Sequence, residues 1–148
     1  MSDRPAVVLL VEDEPAHAEI VRRHFAERHP ASRLFHVGDG QAALDYVYRQ
    51  EGYRQPERSP RPDLMLLDLR LPRVDGLEVL KTVKADPRLR SIPVVVLSTS
   101  AAAADLANAY RHHANSYLVK PVDFAQFTAL LDALGNYWLN FNTAPRGA

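Results

Sequence analysis

Residues 62–80 read PDLMLLDLRLPRVDGLEVL, and an apolar run inside this stretch ends on a carboxylate, Asp68. The run LMLLD, residues 64–68, lacks the polar alternation of a half-exposed strand, which is typical of a strand covered on both faces of a sheet. The sequence DGLEVLKTVKADP follows, with apolar residues at helical spacing and a proline at its end. The stretch therefore predicts a strand and a helix, with Asp68 at the carboxyl end of the strand.

The same unit recurs along the chain. Four more segments have the composition of buried strands, namely AVVLLV at 6–11, RLFHV at 33–37, VVVLS at 94–98 and SYLV at 116–119. An amphipathic helical pattern follows each of them, and Pro15 suits the first turn of the first helix. Five strands alternating with five helices predict a parallel sheet with right-handed crossovers and helices on both faces. The predicted fold is α/β, a doubly wound (βα)5 three-layer sandwich.

Length and composition limit the classes of protein. A chain of 148 residues fits one domain, and 47% hydrophobic with 24% charged residues is ordinary for a globular protein. Lys plus Arg and Asp plus Glu both number 18, so no overall basic excess favours nucleic acid or an anionic membrane, although small basic patches are compatible with this balance. There is no cysteine, and the first apolar run, about six residues, is too short for a membrane span or signal peptide. We expect a cytoplasmic protein.

Residues 49–62, RQEGYRQPERSPRP, carry three prolines and many charges. This composition predicts a long exposed loop within one domain, not a linker between two. We expect a domain core at about 5–135, with 136–148 as a carboxyl-terminal extension.

Polar side chains stand where four of the predicted strands end. They are Glu12 and Asp13 after strand one, Asp68 on strand three, Ser98 on strand four and Lys120 after strand five. The carboxyl ends of parallel strands share one edge of the sheet, where open α/β sheets bind ligands. Each residue alone has a simpler explanation, as a helix cap, a turn residue or a solvated surface lysine. Together they favour a site.

Three carboxylates at one edge need a compensating positive charge. Two like charges about 4 Å apart repel by about 4 kcal/mol at an effective dielectric of about 20. Hard oxygen ligands without thiols favour Mg²⁺, and Lys120 adds a second positive charge. A carboxylate beside both can act as a nucleophile toward phosphorus and form an aspartyl phosphate.

These motifs resemble the receiver domain of two-component response regulators, as in the single-domain chemotaxis regulators. The resemblance covers about residues 5–135 and rests on VEDE, LLDLRLPRVDGLEVL, VVVLSTS and SYLVKPVDF. It implies a flavodoxin-like sheet of order 2-1-3-4-5 and phosphorylation of Asp68 by a sensor histidine kinase. It also implies a phosphoacceptor that promotes its own phosphotransfer and dephosphorylation, not an enzyme acting on a separate substrate.

The resemblance also assigns roles to the site residues. Asp13 and Asp68 are expected to bind Mg²⁺ directly, Glu12 through a water, and Arg70 through its backbone carbonyl. Lys120 is expected to contact the phosphoryl oxygens.

Three further residues are implied in the response to phosphorylation. Ser98 and Tyr117 are the expected switch pair, in which the hydroxyl moves to the phosphate and the ring turns inward. The peptide bond from Lys120 to Pro121 is expected to be cis.

We expect no output domain after residue 148, and therefore a stand-alone regulator that acts through protein contacts or passes the phosphoryl group onward. Apolar residues on the last helix continue beyond the length needed to cover the sheet. They predict a homodimer through the fourth and fifth helices and the strand between them, unless the late aromatics fold back on their own domain. The candidate dimer residues are Tyr110, Phe127, Leu131, Leu134, Tyr137, Trp138 and Phe141.

A narrower resemblance links the long loop, the NSYLVKPVDF segment and the aromatic tail to the small regulators paired with bacterial phytochromes. The kinase would then be a bacteriophytochrome. A haloacid-dehalogenase-like phosphatase is an alternative, but such enzymes usually carry a second acid where this chain has Arg70. A flavodoxin-like flavin module is disfavoured because the first β-α turn, EDEPAH, is acidic and lacks a glycine to cradle a phosphate.

Overall fold

The structure is a computed structural model that describes residues 4–143. Five parallel strands form one sheet in the order β2-β1-β3-β4-β5, which confirms the predicted topology. The strands are β1 (Val7–Val11), β2 (Arg33–Val37), β3 (Leu64–Leu67), β4 (Val94–Ser98) and β5 (Ser116–Val119). The helices are α1 (Pro15–Arg28), α2 (Gly40–Tyr48), α3 (Gly76–Ala85), α4 (Ala103–Arg111) and α5 (Phe124–Gly135).

Helices cover both faces of the sheet, and alternate strand residues point to opposite sides. On one face, Val8 and Leu10 of β1 pack with apolar residues of α1 and α5. On the other face, Leu9 and Val11 pack with apolar residues of α2, α3 and α4. All residues of β1, β3 and β4 are buried, which explains their uninterrupted apolar sequences.

The dimer prediction is wrong for three of its residues. Phe127, Leu131 and Leu134 are buried, and they pack against α1 and the sheet of their own domain. Trp138 is partly buried against the same core. The three-four spacing of α5 is therefore largely explained by burial within the domain.

The chain after α5 continues as a π-helical segment, Asn136–Phe141. The predicted extension, 136–148, is thus helical in its first part, while residues 144–148 lie outside the described residues. Tyr137 and Phe141 on this segment are exposed, as is Tyr110 on α4. Within residues 4–143, no helix has the length and apolar character needed to cross a membrane.

Residues 49–62 form a loop with defined internal structure. It contains a 3-10 turn, Glu51–Tyr53. The hydroxyl of buried Ser59 donates to the backbone carbonyl of Tyr53 at 2.7 Å, and the Tyr46 hydroxyl donates to the carbonyl of Pro60 at 2.8 Å. The first bond links two parts of the loop, and the second anchors the loop to α2.

Backbone hydrogen bonds align the carboxyl ends of the strands. The Asp68 amide donates to the Val11 carbonyl at 3.1 Å, and the Lys120 amide donates to the Ser98 carbonyl at 2.7 Å. The ladders of the sheet thus extend one residue beyond β3 and β5. This register brings the polar residues after several strands to one edge.

Gly76, the first residue of α3, lets the loop after Asp68 pass close to that helix. A Cβ atom on Gly76 would lie 2.1 Å from the backbone oxygen of Asp68 and 2.6 Å from the Cα of Leu69. Its amide donates to the Leu69 carbonyl at 2.9 Å. A glycine at position 76 of the opening sequence stretch is therefore required by this close contact.

Candidate functional site

Asp68 lies at the carboxyl edge of the sheet with its side chain fixed by two donors. It is largely buried, at 8% exposure. Its Oδ1 accepts a hydrogen bond from the Arg70 amide, and its Oδ2 accepts one from Lys120 Nζ, each at 3.1 Å. The loop after β3 and the residue after β5 thus orient the same carboxylate.

Lys120 is not a solvated surface lysine. It is 4% exposed, and its ammonium group donates to the carboxylates of both Glu12 and Asp68. Burial raises the pKa of Glu12 from 4.5 to about 7, although the hydrogen bond and the charge of Lys120 oppose this shift. One ammonium group therefore compensates two buried carboxyl groups only in part.

Glu12, Asp13 and Asp68 form an acidic cluster in which one carboxylate oxygen of each lies within 4.8 Å of the others. Asp13 is exposed, so the cluster opens to solvent. Asp13 does not cap α1, because the N-cap residue of that helix is Glu14. Three hard oxygen donors at this separation fit a divalent cation such as Mg²⁺ or Mn²⁺. That Glu12 binds the metal through a water, and that the Arg70 backbone carbonyl is a further ligand, stay predictions.

His17 is a neighbour of the site that the sequence analysis missed. Its Nδ1 lies 3.1 Å from Lys120 Nζ, and its ring packs edge-on against Phe127 with centroids 6.0 Å apart. Because the ammonium group can only donate, His17 Nδ1 is the acceptor. Burial lowers the pKa of His17, and Lys120 lowers it further. The sequence feature that could have identified His17 is its position on α1, one helical turn after Asp13.

The two residues of the predicted switch pair are buried next to the site. Ser98 is fully buried, and its Oγ accepts a hydrogen bond from the Ser100 amide at 3.2 Å. The Tyr117 hydroxyl donates to the Ser100 carbonyl at 2.8 Å, so its ring already points inward. Both side chains hold the same segment after β4.

A polar bridge connects the loop after β3 to α4. Arg70 Nη2 donates to Asp105 Oδ2 at 2.8 Å, and the Ser100 hydroxyl donates to the same oxygen. The hydrogen bond from Ser100 lowers the pKa of Asp105; burial opposes this shift, and the charge of Arg70 and its hydrogen bond add to it. Asp105 was not identified from the sequence, since an acid in the first turn of a helix usually serves the helix itself.

One prediction about the backbone is wrong. The peptide bond from Lys120 to Pro121 is trans, like every peptide bond among residues 4–143. Both isomers are accessible before proline, and trans is favoured by about 0.5–1 kcal/mol. The local sequence alone therefore does not fix this bond.

Chemically, the edge holds a carboxylate nucleophile beside a buried ammonium group and two further acids. Such an arrangement can accept a phosphoryl group, because phosphoryl transfer depends on positioning and on neutralising the phosphoryl oxygens. A doubly wound sheet with these residues at its carboxyl edge is typical of one class of signalling domain, which is phosphorylated on aspartate.

The comparison with protein families agrees with this class. Residues 8–132 match the model of the response regulator receiver domain, and the chain belongs to this family. Receiver domains are signalling phosphoacceptors that bind a divalent metal and whose partners are histidine kinases.

Two relatives align with nearly the whole chain. The probable methanogenesis regulatory protein FilR2 of Methanothrix harundinacea (strain 6Ac) is 44% identical over 144 residues, which cover 97% of this chain and 90% of FilR2. Response regulator Rcp1 of Synechocystis sp. (strain ATCC 27184 / PCC 6803 / Kazusa) is 39% identical over 144 residues, which cover 97% of this chain and 96% of Rcp1.

Solved structures of such regulators are also similar. The Mn²⁺-bound form of Rcp1 aligns with a TM-score of 0.89, covering 95% of this chain and 99% of Rcp1. The phosphorylated cyanobacterial phytochrome response regulator RcpA aligns with a TM-score of 0.90 at 36% identity, covering 95% of this chain and 99% of RcpA. The chain is thus homologous to phytochrome-associated response regulators.

Proposed function

We propose that residues 1–148 form one receiver domain, a cytoplasmic response regulator that accepts a phosphoryl group from a histidine kinase on Asp68. The observation that carries this proposal is the Asp68 carboxylate, held at 3.1 Å by Lys120 within the acidic cluster. The chain acts as a phosphoacceptor and signals through changed protein contacts, not as an enzyme on a separate substrate. Arg70 stands where a haloacid-dehalogenase-like phosphatase usually has its second acid, which disfavours that alternative.

In the transfer step, a bond forms between phosphorus and an Asp68 carboxylate oxygen while the P–N bond of the kinase phosphohistidine breaks. The leaving imidazole keeps the electron pair of that bond. Lys120 neutralises charge on the phosphoryl oxygens. A Mg²⁺ ion held by Asp13, Asp68 and Glu12 supplies further neutralisation of these oxygens when bound. The hard oxygen donors of the cluster support Mg²⁺ as the physiological ion.

Phosphorylation then changes the segment after β4. In this proposal, the Ser98 hydroxyl exchanges its contact with the Ser100 amide for a phosphoryl oxygen. The Tyr117 hydroxyl, which donates to the Ser100 carbonyl, keeps its ring inward and follows that segment. The surface formed by α4 and β5 changes as a result.

The test of the phosphoacceptor uses acetyl phosphate and Mg²⁺ with intact-mass measurement. We expect wild type to gain one phosphoryl group and Asp68→Asn to gain none. Asp75→Asn is the matched control, because Asp75 is an exposed acid on the same loop whose side chain makes no helix-capping hydrogen bond. A folded wild type without an adduct, or an equal adduct on Asp68→Asn, would contradict the proposal.

For the kinase, we propose a bacteriophytochrome. The similarity to RcpA, which is a phytochrome response regulator, supports this class of donor. FilR2, at 44% identity, is a probable methanogenesis regulatory protein, so unrelated histidine kinases are the competing donors in the test. Phosphotransfer from a purified phytochrome kinase is expected to be faster than from unrelated histidine kinases. Equal rates would remove the phytochrome assignment and leave the phosphoacceptor role intact.

We also propose a homodimer through α4, β5 and α5, on a revised set of residues. Among the described residues, all six exposed large hydrophobic side chains fall between residues 110 and 141, namely Tyr110, Val119, Val122, Phe124, Tyr137 and Phe141. An apolar surface concentrated in this way is typical of an interface. The partner that fits this surface best is a second copy of the chain, because in a twofold dimer the apolar surface of each copy covers that of the other.

Sedimentation velocity tests the dimer before and after treatment with beryllofluoride. The double variant Val122→Asp, Phe124→Asp places two charges in the exposed patch and is expected to be monomeric. Ala31→Asp, an exposed position after α1, is the control and is expected to behave as wild type. A wild type that is monomeric in both states would refute the dimer, and so would a double variant that still dimerises.

A further inference from the structure

The edge of the sheet opposite Asp68 carries two adjoining cavities of about 440 and 400 Å³. The first is lined at the amino ends of β1 and β2 by Val7 and Arg33. Arg49 and Arg61, at the two ends of the long loop, line both cavities together with Pro62 and Ile92. We call the two cavities together the arginine groove.

The groove is strongly basic although the whole chain is neutral. Its arginines are Arg4, Arg33, Arg49, Arg61 and Arg88. Among the described residues that line it, the one acid is Asp63, whose carboxylate accepts hydrogen bonds from Arg4 at 2.6 and 2.8 Å and from the Val7 amide at 2.8 Å. Arg88 also forms an ion pair with Asp86 at 3.7 Å, just outside the groove. Guanidinium groups stay charged at any ordinary pH, so the other arginines of the groove favour an anion there.

Structural contacts use only part of the donor capacity of these arginines. Arg61 donates to the Arg88 carbonyl at 2.7 Å and to the Ser91 hydroxyl at 2.9 Å. Arg49 donates through Nε to the Ser59 carbonyl at 3.3 Å. A guanidinium group has five N–H donors in a planar fork, so both side chains keep donors for an anion.

The groove is also built on a rigid frame. The bond from Tyr46 to Pro60 holds the loop against α2, and the bond from Ser59 to Tyr53 links two parts of the loop. Arg49 ends that helix in a left-handed conformation with φ 54°. Prolines form much of the wall of the first cavity, which limits backbone movement there. A preorganised site binds without a large ordering cost.

We propose that the arginine groove binds a phosphate-bearing small anion of mononucleotide size. Phosphate oxygens match the paired N–H donors of arginine, and the proline and isoleucine wall suits the apolar part of such a ligand. The volume of each cavity lies within the range of small-molecule sites, about 300–1,000 Å³. The groove is separate from the phosphorylation site, and this ligand class goes beyond the proposed function. It also gives the long loop a role.

Calorimetric titration tests the proposal, with Asp68→Asn as the protein so that the phosphoacceptor site takes no part. The probes are inorganic pyrophosphate, adenosine monophosphate and adenosine, at low ionic strength and without Mg²⁺. We expect the two phosphate-bearing probes to bind and adenosine not to bind. Tighter binding of the nucleotide than of pyrophosphate would support a ligand with an apolar part, and binding of pyrophosphate without the nucleotide would overturn the proposed mononucleotide size.

Matched variants separate the groove from general charge effects. Arg33→Gln and Arg49→Gln, each added to Asp68→Asn, are expected to weaken binding about tenfold or more, since each removes charged donors from the groove. Arg22→Gln, an exposed arginine of α1 paired with Glu19, is expected to leave binding unchanged. Equal affinities in all three variants would overturn the proposal, as would the absence of binding by both phosphate-bearing probes.

Amide chemical shifts provide a second measurement that does not depend on variants. Titration with the binding probe is expected to shift the resonances of Arg49, Arg61 and Ile92. Shifts confined to other surfaces of the domain would overturn the proposal.

Discussion

Replacing Glu12 by glutamine should change how the stability of the metal-free protein depends on pH. Glu12 is 2% exposed, and burial raises its pKa from 4.5 to about 7. The folded state therefore binds the Glu12 proton more tightly than the unfolded state does. The stability from this proton is complete below pH 4.5 and is lost as the pH rises through about 7. At 1.36 kcal/mol for each pKa unit, the loss in wild type is about 3 kcal/mol.

Glutamine has the size of glutamate but does not titrate, so Glu12→Gln should lack this loss. Its amide oxygen can still accept from Lys120, while the hydrogen bond from the Glu14 amide to the second oxygen is lost. That loss costs about 1 kcal/mol and lowers stability at every pH, so the decisive quantity is the difference between pH 5 and pH 8.

Urea unfolding in EDTA at both pH values gives this difference. Part of this loss lies below pH 5, so we expect the free energy of unfolding of wild type to fall between pH 5 and pH 8 by about 2.5 kcal/mol more than that of Glu12→Gln. Glu14→Gln, an exposed neighbour, should follow wild type. The same pH dependence in wild type and Glu12→Gln would refute the reasoning, because the buried carboxyl group would then not be the titrating group.

Three further changes test the packing around the site. Gly76→Ala forces a Cβ to within 2.1 Å of the backbone oxygen of Asp68, so we expect the free energy of unfolding in urea to fall by about 1–3 kcal/mol. The control Gly52→Ala should cost much less, because no atom lies within 4 Å of its Cβ. Tyr117→Phe removes the hydrogen bond to the Ser100 carbonyl and should cost about 1 kcal/mol in the same assay. Burial lowers the pKa of His24, so stability should fall as the pH drops below about 6.5, and His24→Leu should flatten this fall in thermal unfolding.

The sequence predicted the order of elements well because a strand that is buried on both faces has an uninterrupted apolar sequence. The strands β1, β3 and β4 are fully buried and read as unbroken apolar runs. Residues that follow such strands must emerge at the carboxyl edge, so Asp68 and Lys120 could be placed there from the sequence. The distances between them could not, because they depend on the register of strands that are far apart in the chain.

The misassigned dimer residues and the missed histidine have a common physical origin, since both concern contacts between distant elements. Phe127 and Leu131 have the spacing of any amphipathic helix, and that pattern does not say whether the partner is the same domain or another copy. His17 contacts Lys120 across 103 positions of sequence. Its position one helical turn after Asp13 places His17 near the acidic cluster but does not indicate the contact with Lys120.

Although the chain has no net charge, acidic and basic residues gather at opposite ends of the strands. Carboxylates gather at the carboxyl edge, where Glu12, Asp13 and Asp68 share the charge of one buried lysine. Arginines gather at the amino edge, where Asp63 is the one acid among the described residues that line the groove and is paired with Arg4. The two edges therefore attract opposite ions, cations at the first and anions at the second. Added salt should then weaken both kinds of binding while hardly changing the net charge, and a neutral isoelectric point is no argument against either site.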